Sequence, residues 1–187
     1  MKNIVLASQS PRRKELLEKC KVSFICDPAN IDETLKKDVS LLDAIQDLSL
    51  RKASAVLERH PDSLIIGSDT IVVLNDKVLG KPQNDTDAFE MLKELQGNTH
   101  EVITGIAFIS DKRTYTDVSV SKVTFSSMSD DEIKEYISTG ECNDKAGSYG
   151  IQGFGGKYIT NIDGDYYSIM GLPLNKVYEE LKNISLY

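Results

Sequence analysis

A short polar segment near the start of the chain carries residue types that could bind phosphate. Ser8-Gln9-Ser10-Pro11-Arg12-Arg13 follows an apolar run and precedes residues with helical spacing. A helix N-terminus offers unpaired backbone N–H groups, and two guanidinium groups beside it suit a phosphate. Ser10 and Pro11 also fit a simple helix cap with Arg12 and Arg13 in solvent, so the spacing alone leaves both interpretations open.

A second candidate is Asp69, which separates the apolar, β-branched runs at residues 63–67 and 70–74. Lys81 follows the next turn signal along the chain. An aspartate at this position could hold a divalent metal ion or accept a proton from water, and Lys81 could neutralise phosphate oxygens. Because a lone aspartate at a strand end often caps a turn, a structural role stays open. The same two interpretations apply to the acidic loop residues Asp32 and Glu33.

The third candidate is a glycine-rich stretch at residues 147–156, with five glycines in ten residues. Glycine lets the backbone approach a ligand closely, and the Gln152 amide has the donors and the acceptor needed to bind a base edge. The stretch matches neither the dinucleotide fingerprint nor the phosphate loop that ends in Gly-Lys-Ser/Thr. A mobile surface loop is the alternative interpretation.

The two histidines point to no further chemistry. His60 stands beside Pro61 and His100 precedes an apolar run, without the spacing of metal ligands. We expect a structural or surface role for each. No Ser-His-Asp or Cys-His set is evident, so acyl transfer is not supported.

Composition restricts the classes of protein to which the chain can belong. The 187 residues are 40% hydrophobic and 27% charged, which predicts a single globular domain over residues 1–187. The net charge of -7 has the wrong sign for a nucleic-acid-binding protein. The absence of a long apolar run or leader, and an odd number of cysteines, predict a cytoplasmic protein that does not bind membranes.

Helices and strands are predicted from hydrophobic spacing and turn residues. Predicted helices cover residues 12–20, 41–59, a segment from Asp85 or Thr86 to Gly97, a segment from Ser129 to Gly140, and residues 173–181. Predicted strands cover residues 4–7, 22–26, 63–67, 70–74, 78–79, a hairpin of 101–110 with 114–127, 157–162 and 166–170. The alternation, together with the hairpin, predicts an α/β fold with a mixed sheet.

Taken together, four segments resemble one known family. They are Leu6-Ala7-Ser8-Gln9-Ser10-Pro11-Arg12-Arg13, then Ser68-Asp69-Thr70 with Gly80-Lys81-Pro82, then residues 144–153, and finally Gly171-Leu172-Pro173-Leu174. In this order they resemble the Maf family of nucleoside triphosphate pyrophosphatases. The resemblance implies a fold like that of the inosine triphosphate pyrophosphatases, with a mixed twisted sheet flanked by helices and two lobes that share this sheet around a cleft.

The resemblance also implies roles for individual residues. Those that would contact the triphosphate or line its path are Ser8, Arg12, Lys52, Lys81 and Lys145. Glu33 and Asp69 would hold a divalent cation, Mg²⁺ or Mn²⁺, and Asp69 would also be the proton acceptor. The implied reaction is metal-assisted attack of water on the α-phosphate, which releases pyrophosphate. A homodimer is implied as well.

Substrate choice is implied by three positions. Arg13, Thr70 and Gln152 match the branch of the family that acts on dTTP and UTP and cleans the nucleotide pool. Two departures are Asp165, where the family commonly has Ser, and Ser148, where Ala is frequent. Asp165 leaves the fine substrate preference open. Two alternatives are a nucleotide-binding regulator of cell division without catalysis and a purine-directed, inosine triphosphate type of pyrophosphatase.

Overall fold

The computed structural model describes residues 3–184. Its strands are β1 Ile4–Leu6, β2 Phe24–Cys26, β3 Leu64–Leu74, β4 Lys77–Leu79, β5 Thr99–Ser110, β6 Arg113–Phe125 and β7 Ile159–Asp163. Its α-helices are α1 Pro11–Glu18, α2 Leu41–Leu57, α3 Asp85–Leu95, α4 Asp130–Ser138, α5 Tyr166–Met170 and α6 Leu174–Asn183. No helix in this part of the chain is long and apolar enough to cross a membrane.

The strands form one mixed sheet. Six follow the order β2-β1-β3-β5-β6-β7, and the short β4 pairs with β3. β1 runs parallel to both β2 and β3, whereas β4 and β7 are antiparallel to their partners. Parallel and antiparallel pairs in one sheet confirm the predicted mixed α/β class.

The chain divides into two compact units. The described part of the first comprises residues 3–69, 104–119 and 171–184, and the second comprises residues 70–103 and 120–170. In the first unit, a fully buried apolar cluster joins α2 to strands β1, β3 and β5; its members are Val5, Ala7, Ala53, Val56, Ile65 and Ala107. Burial of such side chains is the main favourable term in folding.

Two glycines set the distance between α2 and the sheet of the first unit. A Cβ atom added to Gly67 would lie 2.2 Å from the backbone oxygen of Ser49. One added to Gly105 would lie 2.6 Å from the backbone oxygen of Ile45. Because these contacts are with helix backbone, α2 can pack this closely only if both strand positions lack a side chain.

The second unit contains an aromatic cluster around His100. The imidazole meets the rings of Phe125 and Tyr149 edge to face, and its Nε2 lies 2.7 Å from the Tyr149 hydroxyl oxygen. Burial lowers the pKa of His100 to about 4, so the imidazole is neutral at physiological pH. A buried, neutral histidine in an aromatic cluster agrees with the structural role expected for it.

Several predicted helix ends are confirmed because their signals are local. The Ser10 hydroxyl caps α1, with Pro11 as its first residue, and the Ser40 hydroxyl caps α2. The Ser129 and Glu132 side chains form the predicted capping box of α4. These ends are set by residues within one turn of the helix, which is why the sequence alone identified them.

Other predictions were wrong. β3 is one continuous strand, without the expected interruption at Ser68 and Asp69. Asn84 caps α3, in place of Asp85 or Thr86. Residues 166–170 form helix α5 instead of a strand, and β7 begins at Ile159 after a short 3₁₀ segment. The Asp165 carboxylate accepts a hydrogen bond from the Tyr167 N–H at 2.9 Å, which favours the start of a helix there.

Replacement of Gly67 by alanine should destabilise the protein, because the added methyl group would overlap the Ser49 carbonyl. We expect a loss of about 1–3 kcal/mol in the free energy of unfolding, measured by urea denaturation. Gly80→Ala is the matched control, since a Cβ there meets nothing within 4 Å. Equal stability of the two variants would show that α2 does not depend on the glycine.

Candidate functional site

The segment before α1 is held by its own side chains. The Ser8 hydroxyl oxygen accepts hydrogen bonds from the Ser10 N–H at 3.1 Å and from Nη1 of Arg13 at 3.4 Å. Nε of Arg13 donates to the backbone oxygen of Gly171 at 2.8 Å. Burial lowers the pKa of Arg13, whereas the negative charge of Asp69 opposes that shift. Arg13 is therefore built into the site, which contradicts the interpretation that leaves it in solvent.

Ser68 connects three of the segments noted in the sequence. Its hydroxyl lies 2.9 Å from the backbone oxygen of Gly171 and 3.0 Å from that of Gly105. The Gly171 oxygen thus accepts from both Ser68 and Arg13. The structure brings the α1 segment, the middle of β3 and the Gly171 segment together within the first unit.

Two carboxylates converge on one ammonium group beside this point. Nζ of Lys52 contacts Oδ1 of Asp69 and lies 2.8 Å from Oε1 of Glu33. The Lys52 side chain is 8% exposed, whereas the Asp69 and Glu33 side chains are 15% and 54% exposed. The lysine charge is taken out of water and is compensated by two anions, of which Asp69 is the less exposed.

The alternation of side chains along β3 explains how Asp69 reaches Lys52. Gly67 and Asp69 are two residues apart and therefore face the same side of the strand, which is the side covered by α2. Lys52 lies on α2, one residue before the buried Ala53. The close approach allowed at Gly67 places the helix where its lysine meets the aspartate.

Arg51 holds the loop that carries Glu33. Its guanidinium group donates to the backbone oxygens of Asp32 at 2.6 Å and Thr34 at 2.8 Å, on either side of Glu33. Nε of Arg51 also donates to Asp47 at 2.8 Å, one helical turn earlier on α2. Sequence reasoning missed this residue; its one local signal was the spacing of four between Asp47 and Arg51.

The chemistry of the Glu33 and Asp69 pair fits a divalent cation. Both carboxylates already lie around one positive charge, and carboxylate oxygens are the protein ligands that Mg²⁺ prefers. Two carboxylates would leave coordination positions for water and phosphate oxygens, as is usual for Mg²⁺. Among residues 3–184, no group of three or more His, Cys, Asp or Glu side chains is placed to hold a metal ion.

Four predicted residues belong to the second unit: Thr70, Lys81, Lys145 and Gln152. The Gly147 N–H donates to the backbone oxygen of Gly80 at 3.0 Å, which joins the segment of Lys81 to the start of the glycine-rich stretch. Gly147 has φ of +68° and packs against Val72, so glycine is favoured there by both backbone and space.

Lys145 precedes this stretch, and Gln152 lies within it. Nζ of Lys145 donates to the backbone oxygen of Glu141 at 2.6 Å and to Asp144 at 2.7 Å. Gln152 is exposed. The Glu141 side chain accepts from the N–H groups of Phe154 at 2.7 Å and Gly155 at 3.1 Å. Sequence reasoning did not identify Glu141, because its position three residues before Asp144 is no known signal.

The predicted site residues therefore form two groups. The first unit holds Ser8, Arg12, Arg13, Glu33, Lys52 and Asp69, and the second holds Thr70, Lys81, Lys145 and Gln152. Arg12, half-buried in the first turn of α1, carries a charge that acts on Arg13. The roles assigned to these residues from the family resemblance stay predictions.

The two departures from the family pattern have structural explanations. Asp165 immediately precedes α5, and its carboxylate accepts a hydrogen bond from the Tyr167 N–H. Serine can make the same kind of contact, since both residue types cap helices. Ser148 is buried with φ of +62°, and its hydroxyl donates to the sulfur of Met91 at 3.1 Å. Both residues act within the second unit as parts of its local structure.

Comparison with known proteins gives consistent results. The family model described as "Maf-like protein" matches residues 3–184. A protein of Bacillus cereus named dTTP/UTP pyrophosphatase is 47% identical over 100% of this chain and 97% of its own length. A Bacillus cytotoxicus protein of the same name is 48% identical over 97% of this chain and 95% of its length.

Among solved structures, the Ham1 protein of Staphylococcus aureus is similar in fold. The TM-score is 0.50 at 14% sequence identity, with 84% of this chain and 80% of the Ham1 chain covered. At this identity the likeness concerns the fold alone. It agrees with the mixed α/β class expected from the sequence.

Lys52→Met should destabilise the protein, because it leaves the Asp69 and Glu33 carboxylates close together without their shared cation. We expect a loss of about 1–3 kcal/mol in urea denaturation with EDTA present. Added Mn²⁺ should restore part of this loss, since it can take the place of the ammonium group.

The control for this experiment is Lys36→Met, which removes an exposed ion pair with Asp47. Its cost should stay below about 1 kcal/mol. Mn²⁺ should stabilise Lys52→Met more than Lys36→Met. If Mn²⁺ stabilised neither variant, a cation site at Glu33 and Asp69 would be contradicted, whereas an equal response of both would show that Lys52 does not compete with the cation.

Proposed function

The chain belongs to the Maf-like family, and from this premise we propose that it hydrolyses dTTP and UTP to the nucleoside monophosphate and pyrophosphate. The observation that carries the proposal is the convergence of Glu33, Lys52 and Asp69 in the unit that also contains the Ser8 to Arg13 segment. Carboxylates for a cation and a cationic helix N-terminus are what hydrolysis of a phosphoanhydride needs.

We propose that Glu33 and Asp69 hold a divalent cation, Mg²⁺ or Mn²⁺. When bound, the cation would polarise the phosphate and offset its negative charge. Arg51 would keep Glu33 in place through the two backbone oxygens that it holds on either side. The Arg51 contacts fix the backbone of Glu33 and leave its side chain able to turn toward a cation.

The residues of the first unit can divide the remaining tasks. Ser8 and Arg12, at the N-terminal end of α1, would bind phosphate oxygens, and Lys52 would exchange part of its carboxylate contact for the triphosphate. In the reaction, water oxygen forms a bond to the α-phosphorus. The bond from that phosphorus to the bridging oxygen of the β-phosphate breaks, and Asp69 accepts the proton of the attacking water.

The second unit carries the proposed contacts to the leaving group and the base. Lys81 and Lys145 would offset the negative charge that develops on pyrophosphate. The Gln152 amide can accept from N3–H and donate to a carbonyl oxygen of uracil or thymine. Together with Arg13 and Thr70, these contacts would select pyrimidines, in agreement with the names of the relatives from Bacillus.

The cellular setting is proposed on the same basis. Removal of excess or modified pyrimidine nucleotides in the cytoplasm, by a homodimer, agrees with the family resemblance. The net charge of -7 disfavours binding of nucleic acid. Size-exclusion chromatography with light scattering measures the oligomeric state directly.

Asp69→Asn should reduce pyrophosphate release from dTTP by at least about 100-fold, because the amide cannot accept the proton of water. The fold should be retained, since Lys52 keeps Glu33 as an anionic partner. Asp76→Asn is the matched control; Asp76 lies in the β3–β4 turn at φ of +64°, which asparagine tolerates. Near-normal turnover by Asp69→Asn would refute its assignment as the proton acceptor.

Gln152→Glu should lower kcat/KM for dTTP and UTP by about 10- to 100-fold, because a carboxylate lacks the donor for the base carbonyl and repels it. dCTP and CTP, measured with the same variant, serve as internal controls. A uniform change across all four nucleotides would show that Gln152 does not contact the base.

A panel of nucleoside triphosphates separates the proposal from its two alternatives. The proposed enzyme releases pyrophosphate fastest from dTTP and UTP in the presence of Mg²⁺. A purine-directed enzyme would prefer ITP, whereas a regulator would bind nucleotides without releasing pyrophosphate. Only the first result agrees with the proposed function.

A further inference from the structure

The glycine-rich stretch is organised around a single carboxylate that the proposed reaction does not use. Oε2 of Glu141 accepts from the Phe154 N–H at 2.7 Å, and Oε1 accepts from the Gly155 N–H at 3.1 Å and from the Tyr136 hydroxyl at 2.8 Å. The Tyr136 oxygen in turn accepts from the Gly150 N–H at 3.1 Å. Three backbone amides of the stretch are thus connected to Glu141, directly or through one hydroxyl.

These three amides lie on both sides of Gln152 in the sequence. Gly150 precedes it by two residues, and Phe154 and Gly155 follow it. A loop whose backbone is fixed before and after one residue can present that side chain in a defined direction. The Gln152 side chain itself is exposed and is not part of the network.

The glycines of this stretch leave space for the carboxylate. A Cβ added to Gly153 would lie 2.0 Å from Oε2 of Glu141, and one added to Gly150 would lie 3.0 Å from Oε1. Neither glycine has the positive φ that would require glycine for the backbone alone. At Gly153 all three nearest atoms belong to the Glu141 carboxyl group, whereas at Gly150 the nearest is Cε of Lys145 at 2.8 Å, so Glu141 and Lys145 together occupy the space that a side chain there would need.

Glu141 is also connected to the predicted phosphate contact of the same unit. Its backbone oxygen accepts from Nζ of Lys145 at 2.6 Å. Desolvation would raise the pKa of Glu141, but the amides of Gly155 and Phe154 and the Tyr136 hydroxyl lower it below its ordinary value. The charged form is thus the one that the network stabilises at neutral pH.

We propose that Glu141 is a positioning residue that fixes the Gln152 loop and thereby sets the preference for uracil and thymine. It does so through the backbone of the loop and the Tyr136 hydroxyl, without touching the nucleotide. This inference rests on the proposed function, because Gln152 selects a base only if the protein binds nucleotides. The stretch is in this view a rigid support and not the mobile loop that its glycines alone suggest.

The first test is hydrogen exchange, which needs no nucleotide. In Glu141→Gln, one carboxylate oxygen becomes an NH₂ group that faces N–H or O–H donors. We expect exchange at Gly150, Phe154 and Gly155 to accelerate at least about tenfold. Glu90→Gln, an exposed change on α3, should leave these rates unaltered. Unchanged rates in Glu141→Gln would overturn the positioning role.

Tyr136→Phe provides a second variant if Glu141→Gln folds poorly. It removes only the hydroxyl between Glu141 and Gly150, so exchange should accelerate at Gly150 while Phe154 keeps its protection. Acceleration of equal size at both amides would indicate general loosening of the unit and would contradict the network described.

The second test measures base selection. Glu141→Gln should lower kcat/KM for dTTP about 10- to 100-fold relative to dCTP, mainly through KM, because the catalytic groups of the first unit are untouched. An unchanged dTTP-to-dCTP ratio beside faster exchange would overturn the link to selectivity. If the wild-type protein releases no pyrophosphate, the proposed function is wrong, but the positioning role of Glu141 can still be tested. The test is then whether Glu141→Gln changes the ratio of the dissociation constants for dTTP and dCTP.

Discussion

The candidate site of the first unit depends on the charge of one buried lysine. Removing an ammonium group from water costs several kcal/mol unless anions compensate it closely. Lys52 obtains that compensation from Asp69 on β3 and from Glu33 on a loop. The same contact keeps two carboxylates near each other, although their mutual repulsion would separate them. A group that could bind a cation is thereby assembled before any cation or substrate arrives.

The contact between Lys52 and Asp69 requires a short distance between the backbones of α2 and β3. α2 can bring Lys52 to Asp69 only because Gly67 and Gly105 have no side chains. The backbone of the helix therefore lies close to the backbone of β3 and β5 at these two positions. Ser68, between Gly67 and Asp69, faces away from α2 and binds the Gly105 and Gly171 carbonyls. Three successive residues of β3 thus have three different tasks. Gly67 allows close packing against α2, Ser68 binds the Gly171 carbonyl, and Asp69 supplies the carboxylate that contacts Lys52.

Local signals were sufficient for part of the fold, and contacts between distant residues decided the rest. The Ser10 and Ser129 caps follow from residues within one turn. The expected break in β3 does not occur because Ser68 and Asp69, polar residues in an apolar strand, find partners far away in sequence. Residues 166–170 have the aromatic composition of a strand but follow Asp165, whose side chain favours a helix start.

The same distinction explains which site residues the sequence indicated. Apart from Lys52, the residues proposed to touch the substrate stand in recognisable motifs, whereas Glu141 and Arg51 act on backbone groups. Backbone amides and carbonyls are present whatever the residue type. The sequence of a motif therefore does not show which distant side chain binds the backbone of that motif. Glycines are the exception, because the Glu141 carboxylate lies 2.0 Å from a Cβ added at position 153 and would have to leave its place for any other residue there. A cluster of glycines without positive φ can therefore mark a polar side chain that binds the backbone of the stretch, instead of a flexible loop.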